Sequence, residues 1–195
     1  MSAAIALVVG LGNPGQQYRY NRHNAGALFL DTLLKACKAE LKAESRFKGM
    51  AGRIMVDGHE VRLLFPTTYM NNSGDAIQPL AQFYKIEPAQ ILVAYDELDL
   101  PLGTTRLKVG GGHGGHNGVR DTIRALGSAD FVRLRLGIGH PGDKSLVHNY
   151  VLSDFRKSEE PVMDEEFHKA VALMPLLVQG KIEQAMKQLH TRPSP

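Results

Sequence analysis

The stretch that decides the fold is Ala4-Ile5-Ala6-Leu7-Val8-Val9, followed directly by Gly10-Leu11-Gly12-Asn13-Pro14-Gly15. The first six residues are continuously apolar and rich in branched side chains, which is typical of a strand buried on both faces. The next six combine glycine, asparagine and proline, which indicates a turn. A strand of this kind belongs in the interior of a sheet that other elements cover.

Strands and helices alternate along the rest of the chain. Further strands are predicted as a hairpin around Asp57-Gly58 over 49–65, and over 91–95, 104–109 and 131–138. Helices are predicted over 23–38, from a Ser73 cap to 84, and over 119–126, 158–177 and 182–189. Without repeats or an obvious linker, this alternation predicts one α/β domain over 1–195, a twisted mixed β-sheet with helices packed on its faces.

Composition narrows the cellular setting. The chain has 195 residues, enough for one domain with a sizeable core, and its single cysteine, Cys37, cannot form an internal disulfide. The apolar run from Ala3 to Val9 is too short for a membrane span and lacks a basic flank, so we expect a cytoplasmic protein without membrane contact. A net charge of +3 and a pI near 9.0 leave room for a basic face.

The first turn also spells G-x-G-x-x-G, the dinucleotide-binding pattern. That fingerprint needs a helix opening at the third glycine and an acidic residue at the end of the next strand. Here Pro14 and the polar stretch from Gln16 to Arg22 delay the helix, and Asp31 lies inside it. A dinucleotide-binding enzyme is therefore disfavoured. The glycines instead let the backbone present Asn13.

His23 is a candidate base at the start of the first predicted helix. A carboxylate bonded to one ring nitrogen would leave the other free to take a proton. Asp96 follows a buried strand and suits this role, and Asp99 suits it equally well on spacing. No G-x-S-x-G elbow is present, and Cys37 falls in an apolar helical stripe. Direct attack by water is thus favoured over a covalent intermediate.

Other polar residues allow more than one interpretation. His113 and His116 could begin a metal site, so a metal-dependent hydrolase stays a rival, although no cysteine pair or H-E-x-x-H helix completes the set. Asn71 and Asn117 each precede a predicted helix. They are either turn residues or amides that bind a water and a developing oxyanion.

Basic residues alternate along two predicted strands. Arg106 and Lys108 are two apart on one strand, and Arg133 and Arg135 are two apart on another, so each pair shares a face. Such faces are often merely solvated, but two cationic pairs near a glycine loop also suit a phosphate backbone. An RNA-binding module without turnover is therefore a further alternative.

Six blocks in this order resemble the bacterial-type peptidyl-tRNA hydrolase family. They are Val9-Gly10-Leu11-Gly12-Asn13-Pro14-Gly15, Arg22-His23-Asn24-Ala25-Gly26, Pro66-Thr67-Thr68-Tyr69-Met70-Asn71-Asn72-Ser73-Gly74, Asp96-Glu97-Leu98-Asp99-Leu100-Pro101, the glycine loop to Gly118, and Arg133-Leu134-Arg135-Leu136-Gly137-Ile138-Gly139-His140-Pro141. The resemblance implies a single α/β domain. It also implies a monomeric enzyme, without metal or organic cofactor, that hydrolyses the peptide ester at the 3′ end of peptidyl-tRNA.

The resemblance also assigns roles by position. It makes His23 the base and Asp96, rather than Asp99, its orienting partner. The residues that it places around the substrate crevice are Asn13, Tyr18, Met70, Asn71, His116 and Asn117. The residues that it gives to tRNA phosphates are Lys108 and Arg135 as a clamp, with Arg106 and Arg133 extending the basic surface. The loop from Gly139 to Asn149 and the helices after it, to about 190, resemble a mobile lid.

Overall fold

A seven-stranded mixed sheet forms the centre of the computed structural model, which describes residues 3–191. The strands are β1 (Leu7–Gly10), β2 (Lys42–Glu44), β3 (Gly49–Val56), β4 (His59–Pro66), β5 (Ile91–Glu97), β6 (Thr105–Val109) and β7 (Val132–Gly137). Their order is β2-β3-β4-β1-β5-β7-β6. β1 lies parallel to β4 and β5, and β5 lies parallel to β7. The β2–β3, β3–β4 and β6–β7 pairs are antiparallel.

Helices cover both faces of this sheet. They are α1 (Ala25–Ala36), α2 (Gly74–Phe83), α3 (Asn117–Leu126), α4 (Val147–Val151), α5 (Glu160–Val171), α6 (Met174–Val178) and α7 (Ile182–His190). One core contains residues of α1, α5, α6 and α7, and the other contains residues of α2 and α3. Val8 belongs to the first core, whereas Leu7 and Val9 belong to the second. The predicted α/β class and the doubly buried first strand are therefore confirmed.

Some predicted boundaries were wrong for local reasons. The first strand begins at Leu7 rather than Ala4. The helix predicted over 158–177 is divided into α5 and α6, with Pro175 in the first turn of the second piece, where its missing N–H costs nothing. β2 was not predicted, because three partly exposed residues at a sheet edge carry no hydrophobic pattern. The tail residues 192–195 lie outside the described part. None of the helices within 3–191 has the length and apolar character needed to cross a membrane.

The cap of α2 comes from a distant residue. Ser73 was predicted to cap it, but its hydroxyl donates to the Met70 carbonyl oxygen at 2.6 Å. The Gly74 N–H instead donates to Asp121 Oδ2 at 2.8 Å, and Asp121 belongs to α3. This bond ties the start of α2 to the middle of α3. Its 47-residue separation hides it from local sequence rules.

Asp121→Ala should lower the free energy of unfolding by about 1–2 kcal/mol, because the Gly74 N–H loses its acceptor. Asp121→Asn keeps an acceptor oxygen and should retain most of the stability. Urea denaturation of both variants beside the wild type measures the difference. Equal losses in the two variants would contradict the capping role.

Candidate active site

The turn after β1 fixes the amide of Asn13. Its backbone N–H donates to Asn24 Oδ1 at 2.9 Å, and Asn24 Nδ2 donates back to the Asn13 carbonyl oxygen at 3.0 Å. The side-chain oxygen of Asn13 accepts the Met70 N–H at 2.7 Å. A Cβ on Gly12 would lie 2.8 Å from Asn24 Nδ2, which explains the glycine. With its oxygen occupied, the buried Asn13 amide presents Nδ2 as a donor.

His23 and Asp96 meet at the carboxyl ends of neighbouring parallel strands. His23 lies in a short 3₁₀ turn, Arg22–Asn24, between the end of β1 and the start of α1. Its Nδ1 is 2.9 Å from Asp96 Oδ2 and 3.1 Å from Oδ1. The bond occupies Nδ1, so Nε2 remains available as a base. Asp99 is exposed and its N–H faces Glu97, so the geometry selects Asp96 between the two carboxylates.

His116 is a second imidazole on the same carboxylate. Its Nε2 lies 2.8 Å from Asp96 Oδ1, and its Nδ1 accepts the N–H groups of Gly118 and Val119 at 3.1 and 3.3 Å. Because Nδ1 accepts, we assign the proton to Nε2, which donates to Asp96. His116, rather than Asn117, therefore caps α3, and Asn117 is its first residue. Nothing in the local sequence signals the bond between His116 and Asp96, since the two residues are 20 positions apart.

The electrostatics of the cluster favour a charged carboxylate beside a basic imidazole. Burial alone would raise the pKa of Asp96, but the two histidines hold that pKa well below its usual range. Burial also works to lower the pKa of His23, but the charge and hydrogen bond of Asp96 outweigh it and raise that pKa. Asp96 thus stays ionised and stabilises a proton taken up by His23.

The remaining predicted crevice residues occupy different environments. Asn71 lies in the exposed 3₁₀ turn Met70–Asn72, and Asn117 is exposed at the start of α3. These segments pack closely, since a Cβ on Gly118 would lie 2.5 Å from Met70 Sδ. Met70 itself is buried and contributes its N–H to Asn13. Tyr18 is half-buried in the 3₁₀ turn Gln16–Tyr18 that follows Gly15.

Three potential metal ligands coincide with the hydrogen-bonded cluster. Donor atoms of His23, Asp96 and His116 all lie within 4.8 Å of one another. His113, the other histidine of the rival metal hypothesis, accepts the Gly115 N–H and stands outside this group. A bound metal would have to displace the protons that now join both imidazoles to Asp96. The hydrogen bonds account for the cluster without one.

Cationic side chains occupy one face of the β6–β7 ribbon. Arg106 pairs with Arg135 and Lys108 with Arg133, so the antiparallel register places all four on the same face. Lys108 is exposed, and Arg135 donates through Nε to Glu97 Oε1 at 2.9 Å. Arg106 is half-buried, with its guanidinium 3.5 Å from the His190 carbonyl oxygen. Three of these four cations therefore reach the surface at least in part.

Arg133 is the exception. It was predicted to extend the basic surface, but it is 1% exposed. Its guanidinium donates to the carbonyl oxygens of Gly111, Gly112 and Ala129. The prediction was wrong because alternation along a strand tells which side chains share a face of the sheet, but not whether another segment covers that face.

Comparison with known proteins identifies the family. The family model described as peptidyl-tRNA hydrolase matches residues 7–195. The chain belongs to the peptidyl-tRNA hydrolase family. It is 51% identical over 190 residues to a peptidyl-tRNA hydrolase of Azotobacter vinelandii, covering 97% of this chain and 98% of that protein. It is also 51% identical over 196 residues to a Marinobacter nauticus peptidyl-tRNA hydrolase, with 100% of both covered.

The fold agrees with the family assignment. A crystal structure of peptidyl-tRNA hydrolase from Acinetobacter baumannii superposes with a TM-score of 0.95 at 47% identity, covering 100% of this chain and 99% of that chain. The sequence resemblance to the family is thereby confirmed.

The segment expected to form the family's lid is fastened beside His23. Tyr150 OH donates to the Ile138 carbonyl oxygen at 2.5 Å and closes the base of the loop between them. The Arg22 guanidinium lies 4.3 Å from the Tyr150 ring centroid and donates to Ser153 Oγ at 2.5 Å and Glu159 Oε1 at 2.9 Å. The loop residues between these anchors are mostly exposed. Lid motion stays a prediction.

Asp96→Asn should lower the pKa of the His23 imidazole. Without the carboxylate charge, the desolvation by burial is no longer opposed, so His23 should lose its proton at lower pH than in the wild type. An NMR titration of the histidine ring signals measures this shift. Asp99→Asn is the matched control, and an equal fall in both variants would contradict the pairing.

Proposed function

We propose that this chain hydrolyses the ester between the peptide and the 3′-terminal ribose of peptidyl-tRNA, releasing both for reuse in translation. Its family, and relatives about half identical over their full length, support the substrate. The single structural observation that supports the chemistry is the buried Asp96 carboxylate bonded to His23 Nδ1, which leaves Nε2 unoccupied by that bond.

In the proposed mechanism, His23 activates the water. Neutral His23 takes a proton through Nε2 as water attacks the ester carbonyl carbon, and Asp96 stabilises the imidazolium. The same proton then passes to the departing ribose oxygen. The alternative nucleophiles are occupied elsewhere, since Ser73 is fully buried and bonded to Met70, and Cys37 packs against the core. These contacts support direct attack by water over a covalent intermediate.

The amide of Asn13 suits the developing oxyanion. Its carbonyl oxygen is held by the Met70 N–H, so the amide cannot turn to present an acceptor instead of Nδ2. A donor fixed before the reaction costs no reorganisation, and one such donor is worth about 3–4 kcal/mol of transition-state stabilisation. On sequence alone, Asn71 and Asn117 were also candidates for this role. The fixed orientation favours Asn13.

The exposed amides suit recognition of the peptide. Asn71 and Asn117 belong to two segments that pack against each other beside Asn13. A side-chain amide can both donate to and accept from a peptide bond, whereas a protonated α-amine offers donors alone. This difference supports a preference for peptidyl over simple aminoacyl esters. Tyr18 and Met70 would complete the walls of the crevice.

The cations of β6 and β7 suit the tRNA. Lys108 and Arg135 would clamp the phosphate at its 5′ end, and Arg106 would extend the basic surface. Glu97 adjoins Asp96 in β5 and holds the Arg135 guanidinium. The strand that carries Asp96 therefore also positions one member of the proposed clamp. The chain acts as a monomer, as the family resemblance implies, and in the cytoplasm, as the composition led us to expect.

His23→Ala should reduce kcat for peptide release from peptidyl-tRNA by about 100-fold to 10,000-fold, the usual worth of a general base. The fold should persist, because the ring lies at the surface end of the cluster and is 13% exposed. The assay runs with and without a chelator. Turnover near the wild-type rate would refute the base, and loss of wild-type activity on chelation would favour a metal-dependent hydrolase.

Lys108→Ala and Arg135→Ala should raise KM for whole peptidyl-tRNA about 10-fold, while a short peptidyl-nucleotide mimic is hydrolysed almost normally. With substrate that lacks the 5′ phosphate, the wild type should show the same increase in KM, and the variants should show little further increase in KM. The control is Arg53→Ala, because Arg53 is an exposed cation on β3, which β4 and β1 separate from β5. Equal losses on both substrates would contradict a clamp.

A further inference from the structure

A buried arginine contacts the glycine loop that leads to His116. Arg133 is the largest side chain that is almost completely buried, and its guanidinium carbon lies 4.5 Å from the Phe131 ring centroid. It donates to the Gly111 oxygen at 2.5 Å, to the Ala129 oxygen at 3.1 Å and to the Gly112 oxygen. A buried cation is costly unless such partners stay in place.

The loop that Arg133 contacts is rich in glycine. Four of its glycines have positive φ: Gly110 (70°), Gly111 (104°), Gly114 (58°) and Gly115 (83°). Glycine loses more conformational freedom on ordering than any other residue, so such a loop needs specific contacts to keep one shape. Its own turn contributes the His116 N–H bond to the His113 oxygen at 3.0 Å. Arg133 supplies side-chain donors to two successive carbonyls nearer its beginning.

The loop leads directly into catalytic residues. His116 follows Gly115, bonds Asp96 and caps α3, and Asn117 is next. The direction of the loop therefore decides where both side chains lie. A guanidinium presents parallel donors in a rigid fork and can hold two neighbouring carbonyls at once, which a lysine ammonium does less well.

We propose that Arg133 is a positioning residue for the reaction described above: its guanidinium fixes the glycine loop so that His116 meets Asp96 and Asn117 faces the substrate. This inference rests on the proposed function. Arg133 acts through the loop and does not bind the tRNA, although its neighbours two residues along β7 and opposite on β6 are the clamp residues.

The test compares Arg133→Met and Arg133→Lys with the control Arg53→Met. For both Arg133 variants, kcat should fall about 10-fold to 100-fold, equally on whole peptidyl-tRNA and on the short mimic, with KM for tRNA nearly unchanged. Amide hydrogen exchange over residues 110–117 should accelerate in both, most in the methionine variant. The control should match the wild type. Arg133→Lys keeps the buried positive charge, so the test can be made with this variant alone if the methionine variant does not fold.

Two results would overturn the proposal. An increase in KM confined to whole tRNA, as expected for Arg135→Ala, would place Arg133 in the phosphate clamp. Unchanged exchange over 110–117 would show that the loop does not depend on it. Hydrogen exchange needs no substrate, so it tests the positioning role even if the wild-type chain releases no peptide. Absence of peptide release by the wild type would refute the proposed function instead.

Discussion

The site depends on a buried carboxylate held between two imidazoles. Asp96 is 3% exposed and accepts hydrogen bonds from His23 and His116, which lie 73 residues before it and 20 residues after it in the chain. A buried negative charge is tolerable only with such donors, so the carboxylate constrains both rings at once. One ring keeps a nitrogen available for proton transfer. The second ring, His116, uses its other nitrogen to accept the backbone N–H groups at the start of α3.

The sheet topology supplies the meeting point. β1 and β5 are parallel neighbours, so the turn that carries Asn13 and the strand end that carries Asp96 lie at the same edge of the sheet. β7 lies on the other side of β5 and brings Arg133 and Arg135 into register with it. The chemistry and the basic surface are therefore consequences of a single strand order rather than of separate modules.

Differences between sequence expectation and structure share a physical origin. Ser73 was predicted to cap α2, but Asp121 has this role because tertiary packing brought its carboxylate to the Gly74 N–H group. Arg133 alternates correctly with Arg135, yet the glycine loop folds over it. Local rules give a residue's face and propensity, and packing then selects among the partners available.

The sequence by itself determined the α/β class, the buried first strand, the Asp57-Gly58 hairpin and, through six ordered blocks, the family. These features arise from periodicity and turn chemistry, which act between near neighbours. Only the tertiary structure brought Asp96 against His23, fixed the orientation of the Asn13 amide and buried Arg133. Those outcomes depend on hydrogen bonds between residues 21 to 73 positions apart, whose geometry exists only once the sheet has formed.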